Sequence, residues 1–146
     1  MNMMNFKIQG FFTTLIIGTV SVLTISDAIS QKVNAQATPS CNNATIKGSY
    51  GSILTGTVLG YPLAQVGLFK FNGTGNLQGI ASDSYNGTLS INTPGSGTYS
   101  VKQDCTVQIV ISGDTFSGVI VDNGKEIFLL STAKNAVVTV TLKKVN

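Results

Sequence analysis

From residue 45 to the C-terminal end, apolar side chains recur at alternate positions in short runs, each run broken by Gly, Asn or Asp. A period of two marks strands with one buried face, because successive side chains point to opposite sides of the backbone. Residues 45–54 (TIKGSYGSIL) put Ile46, Gly48 and Tyr50 on one face and Lys47 and Ser49 on the other. Residues 63–71 align Gly67, Phe69 and Phe71 against Lys70, and a third strand follows over 76–84. A short strand at 88–91 precedes a loop over 92–97 (NTPGSG). Residues 97–102 then place Tyr99 and Val101 inward. Residues 105–112 present Val107, Ile109 and Ile111 on one face, and further strands are predicted over 115–122, 125–132 and 136–144. The breaks fall at residues that tolerate positive φ, above all Asn72-Gly73, Asn86-Gly87 and Asn123-Gly124.

Eight or nine strands joined by tight turns, with no long crossover, favour sequential antiparallel pairing. The class is therefore all-β. An eight- to nine-stranded up-and-down barrel is the first expectation, since closure removes exposed edges, and a two-sheet sandwich is the alternative.

The N-terminal part has a different texture. Lys7 precedes the apolar run FFTTLIIGTVSVLTI (11–25), and a polar stretch then ends Val33-Asn34-Ala35. A positive start, an apolar middle and a small residue at the cut describe a signal peptide cleaved near Ala35. The run is short for a span of about 20 residues, so no stable membrane span is expected after its removal. The organisation is then a signal peptide (1–35), a lead segment (36–44) and a barrel domain (45–144), and the destination is secreted or periplasmic. Beyond residue 35, seven lysines face five acidic residues, scattered along the chain, which is no footprint for nucleic acid.

Cys41 and Cys105 are the two cysteines, and in an exported chain they most simply form one disulfide. Each lies near a Gly-x-Tyr, at 48–50 and 97–99. On a strand, Gly and Tyr of this motif share the inward face. The glycine leaves room where a wall curves, and the tyrosine fills that space with its hydroxyl at a polar end. The motifs read as packing and staples rather than chemistry.

The sequence ATIKGSYG (44–51), the runs Phe69-Lys70-Phe71-Asn72-Gly73-Thr74-Gly75-Asn76 and Gly97-Thr98-Tyr99-Ser100-Val101-Lys102-Gln103-Asp104-Cys105, and GKEI (124–127) together resemble a family of small secreted bacterial proteins of unassigned function. These are shaped like the calycin-like barrel of allene oxide cyclases. The resemblance covers nearly all of 41–144 and implies an eight-stranded antiparallel barrel with one disulfide. It implies no assigned reaction. Allene oxide cyclases convert a reactive fatty-acid epoxide in an apolar cavity, but no catalytic residue of theirs maps onto this chain.

The residue inventory narrows the chemistry. Histidine, arginine and tryptophan are absent, which excludes Ser-His-Asp and Cys-His nucleophilic sites and leaves no zinc ligand set. No phosphate loop or dinucleotide motif is present, and no cofactor is implied. Asp104, Asp114 and Asp122 sit at turns for backbone reasons, whereas Asp83, late in the third strand, becomes an acid or base if it points inward. The candidate cavity lining is Tyr50, Phe69, Phe71, Tyr99, Val101 and Ile109, which either enclose a small apolar ligand or fill a solid core. Three functions follow: a non-enzymatic barrel that carries such a ligand, a cyclase- or isomerase-like enzyme acting on a lipid-derived substrate, or an envelope or matrix protein working through its outer surface.

Overall fold

The computed structural model describes residues 40–145, and in them the alternating pattern becomes eight antiparallel strands closed into a single up-and-down barrel. The strands are β1 (Gly48–Val58), β2 (Tyr61–Phe71), β3 (Asn76–Tyr85), β4 (Thr88–Val101), β5 (Thr106–Ile111), β6 (Asp114–Val121), β7 (Glu126–Ser131) and β8 (Ala136–Lys144). Each pairs with the next in sequence, and β8 closes on β1 with Val140 opposite Leu54. The sandwich alternative is thereby replaced by the barrel. The signal peptide expected over 1–35, its cleavage near Ala35, and residues 36–39 of the lead segment lie outside the described residues. Among the described residues no helix is long and apolar enough to cross a membrane.

Two predicted boundaries are corrected. The first strand was expected from Thr45 but begins at Gly48, because Asn43–Ile46 forms a 3₁₀ turn. Asn42 caps it: its Oδ1 accepts from the Ala44 N–H at 2.9 Å, while the Thr45 Oγ accepts from the Asn42 N–H at 3.0 Å. Residues 92–97, expected as a loop, instead lie inside β4, which joins the two strands expected at 88–91 and 97–102 and gives a count of eight. Pro94 pairs with Ile80 of β3, but β5 meets β4 only from Gly97 onward. The missing proline N–H thus falls where β4 has one neighbour, and the stretch behaves as an edge. A bulge between Ala81 and Asp83, with Asn92 at φ 53°, absorbs the irregular register.

The barrel has a sealed base and a taller wall on one side. The base gathers the turns at 72–75, 102–105 and 122–125, and Asn43–Ile46 lies among them with Ile46 fully buried. Tyr50, Phe71 and Tyr99 stack edge to face there, with ring centres 5.2 and 5.1 Å apart. The Tyr50 hydroxyl donates to the Gly124 carbonyl. The Tyr99 hydroxyl donates to the Asn43 carbonyl at 3.1 Å and accepts from the Gly73 N–H at 2.8 Å. Cys41 is disulfide-bonded to Cys105, which ties the lead segment to the β4–β5 turn. The paired Gly-x-Tyr motifs and cysteines therefore share one place: the tyrosines pin three base turns, and the disulfide locks the segment they hold. At Gly97 a Cβ would lie 2.0 Å from the Val110 carbonyl oxygen, so the β4–β5 approach needs glycine there.

Candidate functional site

Above this base the barrel is hollow. A cavity of about 600 Å³ opens at the opposite end, between the upper parts of β3 and β4 and the turns at 112–113 and 132–135. Its origin lies in the register. Ser52 stands opposite Gly67, Gly67 opposite Ala81, and Ala81 opposite Thr93, so four small residues on β1 to β4 share one level. Large side chains at that level would meet in the middle; these do not reach. One level nearer the base, Tyr50 stands opposite Phe69, and one level nearer the mouth Leu54, Gln65 and Asp83 follow.

The lining is apolar at depth, where Phe69, Phe71, Leu77, Ile109, Phe116 and Leu142 enclose it. Polar groups gather higher: Gln65 with Asp83 across the β2–β3 pair, Ser112 and Asp114 at the β5–β6 turn, and Lys134 at the β7–β8 turn. Tyr85, also at the upper level, donates to the Val58 carbonyl at 3.3 Å and stacks on Tyr61, bracing the β1–β2–β3 corner of the mouth. Below that polar tier the lining carries two hydroxyls, Ser52 and Thr93, and of the two Ser52 is buried while Thr93 is exposed.

The residues named from sequence divide into two groups. Phe69, Phe71 and Ile109 line the cavity. Tyr50, Tyr99 and Val101 are placed below it, in the packed base, because their strand positions fall at the level of the Asn43–Ile46 turn. Burial pushes the Tyr50 phenol up to about 12, and the neighbouring Tyr99 adds to the shift. Asp83 faces the cavity. Asp104 stays at its turn, held below the usual carboxylate range by hydrogen bonds from Thr106, its hydroxyl first and its N–H second. Among the described residues no group of three His, Cys, Asp or Glu side chains could hold a metal ion.

Ser52, Leu54 and Ala81 were missed, though all are same-face continuations of strands already recognised, two and four residues on from Tyr50 and further along β3. Thr93, Pro94 and Gly95 were missed because they sit in the stretch expected as a loop. On the outer wall, Ile53, Val66, Leu89 and Ile91 border a shallow apolar groove of about 290 Å³ beside the bulge in β4 at Ile91-Asn92.

No protein-family model matches the chain, and no curated protein matches it. Among solved structures, a redesigned beta barrel is similar, with 18% identity and a TM-score of 0.47 over 71% of this chain and 95% of that one. The closed barrel assigned here stands on its own strand register.

Proposed function

We propose that this chain is an exported carrier that holds a small apolar ligand inside its barrel. The observation that carries the reading is the cavity: about 600 Å³, apolar in its lower part, and open at one end. That volume falls within the range of about 300–1,000 Å³ typical of small-molecule pockets. The cavity combines an apolar depth with a polar mouth, which suits a ligand that is mostly hydrocarbon. The Cys41–Cys105 disulfide is compatible with an oxidising compartment and supports export. The resemblance to calycin-like barrels points the same way.

The test is a titration of the purified, oxidised protein with N-phenyl-1-naphthylamine, a neutral apolar dye that brightens on leaving water. One saturable site per chain is expected. Ala81→Trp, which places an indole at the small-residue level, should abolish that site while the far-ultraviolet circular dichroism stays that of a β-barrel. Undiminished dye binding in a folded Ala81→Trp protein would place the site elsewhere and refute the reading.

A second reading, an enzyme that confines a lipid-derived substrate, is favoured by one feature: Asp83 lines the cavity beside Gln65. If organic extracts of the protein from its host contain a compound that the pure protein transforms, Asp83→Asn should stop the transformation without stopping binding. Continued turnover in that variant would remove Asp83 from any chemistry.

A further inference from the structure

An apolar cavity alone does not account for Ser52. Its residue is 4% exposed, and its Oγ is the one buried side-chain oxygen or nitrogen among the described residues without a hydrogen-bond partner. A hydroxyl offers one donor and two acceptor sites, and leaving all of them unmet in an apolar wall is destabilising. An alanine there would bury no unmet hydroxyl.

The surroundings keep room for that hydroxyl. A Cβ on Gly67, directly across the β1–β2 pair, would lie 3.0 Å from the Ser52 Oγ and 2.9 Å from the Phe69 ring, so a side chain there would crowd both. Ala81 and Thr93 continue the low wall beyond it. The hydroxyl thus sits on the cavity wall above a floor of hydrocarbon side chains, Phe69, Phe71, Leu77, Ile109 and Leu142 among them.

We propose that Ser52 is the polar anchor of the cavity, and that it hydrogen-bonds the terminal oxygen of a neutral lipid, an alcohol or aldehyde, which enters oxygen first. Ser52 is part of the cavity lining, and its hydroxyl has three staggered positions about χ1, so pairing with a bound oxygen needs only a rotamer change. Charge sets the ligand class. The ionisable side chains with a carboxylate or ammonium on the cavity wall are Asp83, Asp114 and Lys134, and all three lie on the mouth side of Ser52. A carboxylate at Ser52 would be buried without a cation and would have passed two acids to get there. A hydroxyl or carbonyl oxygen needs only the one partner that Ser52 supplies. The hydrocarbon tail then runs up the wall toward Leu54 and Leu63.

The anchor exists only inside a hollow, occupied barrel, so it rests on the carrier reading, and its test separates the two. Tetradecan-1-ol, tetradecane and tetradecanoate are each titrated against bound N-phenyl-1-naphthylamine, in the unmodified protein and in Ser52→Ala. Loss of one net hydrogen bond should weaken tetradecan-1-ol by roughly three- to tenfold in Ser52→Ala. Tetradecane should displace the dye equally well from both proteins, and tetradecanoate should be the weakest displacer. If Ser52→Ala changes the alcohol and the alkane by the same factor, or changes neither, the anchor is refuted while the carrier stands. If tetradecanoate displaces best and loses its advantage in Lys134→Ala, the polar contact is at the mouth and the anchor is refuted again. If the dye itself finds no site, the carrier reading falls and the anchor falls with it.

Discussion

Replacing Ser52 by alanine should make the empty barrel more stable, the reverse of what most substitutions on a barrel wall do. The hydroxyl is sealed in the wall with no partner, a state that costs roughly 1–3 kcal/mol relative to a satisfied or absent group. Removing the oxygen leaves an atom-sized gap, and at about 24 cal/mol per Å³ such a gap takes back only a few tenths of a kcal/mol. The net expectation is a gain of about 1 kcal/mol. In a domain of this size that raises Tm by about 4–8 °C. The assay is urea and thermal unfolding of lipid-free, oxidised protein, with the m-value checked for constancy so that the change belongs to the folded state. Saturating tetradecan-1-ol should narrow or invert the difference, because a ligand that pairs with Ser52 stabilises only the protein that has it. A lower or unchanged Tm in lipid-free Ser52→Ala would show that the hydroxyl already has a partner, and the assignment of an orphaned anchor would fail.

Two further outcomes follow from the base of the barrel. Reducing the Cys41–Cys105 bond, or replacing both cysteines by serine, should lower unfolding free energy by roughly 4 kcal/mol on the chain-entropy account for a sequence separation of 64, read as a lower urea midpoint; an unchanged midpoint would mean the link constrains nothing. The Tyr50 phenol is raised from 10.0 to about 12 by burial, so the folded protein holds its proton to higher pH than the unfolded chain does. Its contribution to stability is complete below pH 10 and is lost as pH rises through about 12, and Tyr50→Phe should flatten the fall in stability across that window. An equally steep fall in Tyr50→Phe would assign the alkaline loss to other groups.

The strands were legible because each carries its own evidence. Val107, Ile109 and Ile111 share one face of a run rich in β-branched residues whatever they pair with, and Asn123-Gly124 supplies a backbone with φ 53° and 83° that suits those two residues. The longest strand was illegible over 92–97 for the opposite reason. Nothing in NTPGSG favours extension; β3 imposes it from one side, and the absence of β5 on the other side makes Pro94 tolerable. The 3₁₀ turn at Asn43–Ile46 was hidden because Ile46 continues the parity of Gly48 and Tyr50, and parity alone cannot tell a strand residue from one tucked beneath it.

The cavity belongs to a third kind of information. Whether a barrel is hollow depends on the summed size of side chains at one level, and a level is defined by register rather than by sequence position. Ser52, Gly67, Ala81 and Thr93 are separated by many residues along the chain, yet stand side by side across four strands. Their smallness forgoes the burial that larger side chains would contribute there, and Ser52 adds an unmet hydroxyl. The base carries the opposite composition: three stacked rings, two tyrosine hydroxyls spent on turn backbones, and a disulfide. Such a division, with stabilising contacts concentrated at one end and unfilled space at the other, makes sense if the upper half is completed by something the chain does not itself provide. A filled barrel would have no reason to set a serine against a glycine in the middle of its wall; a barrel that receives a lipid oxygen there does.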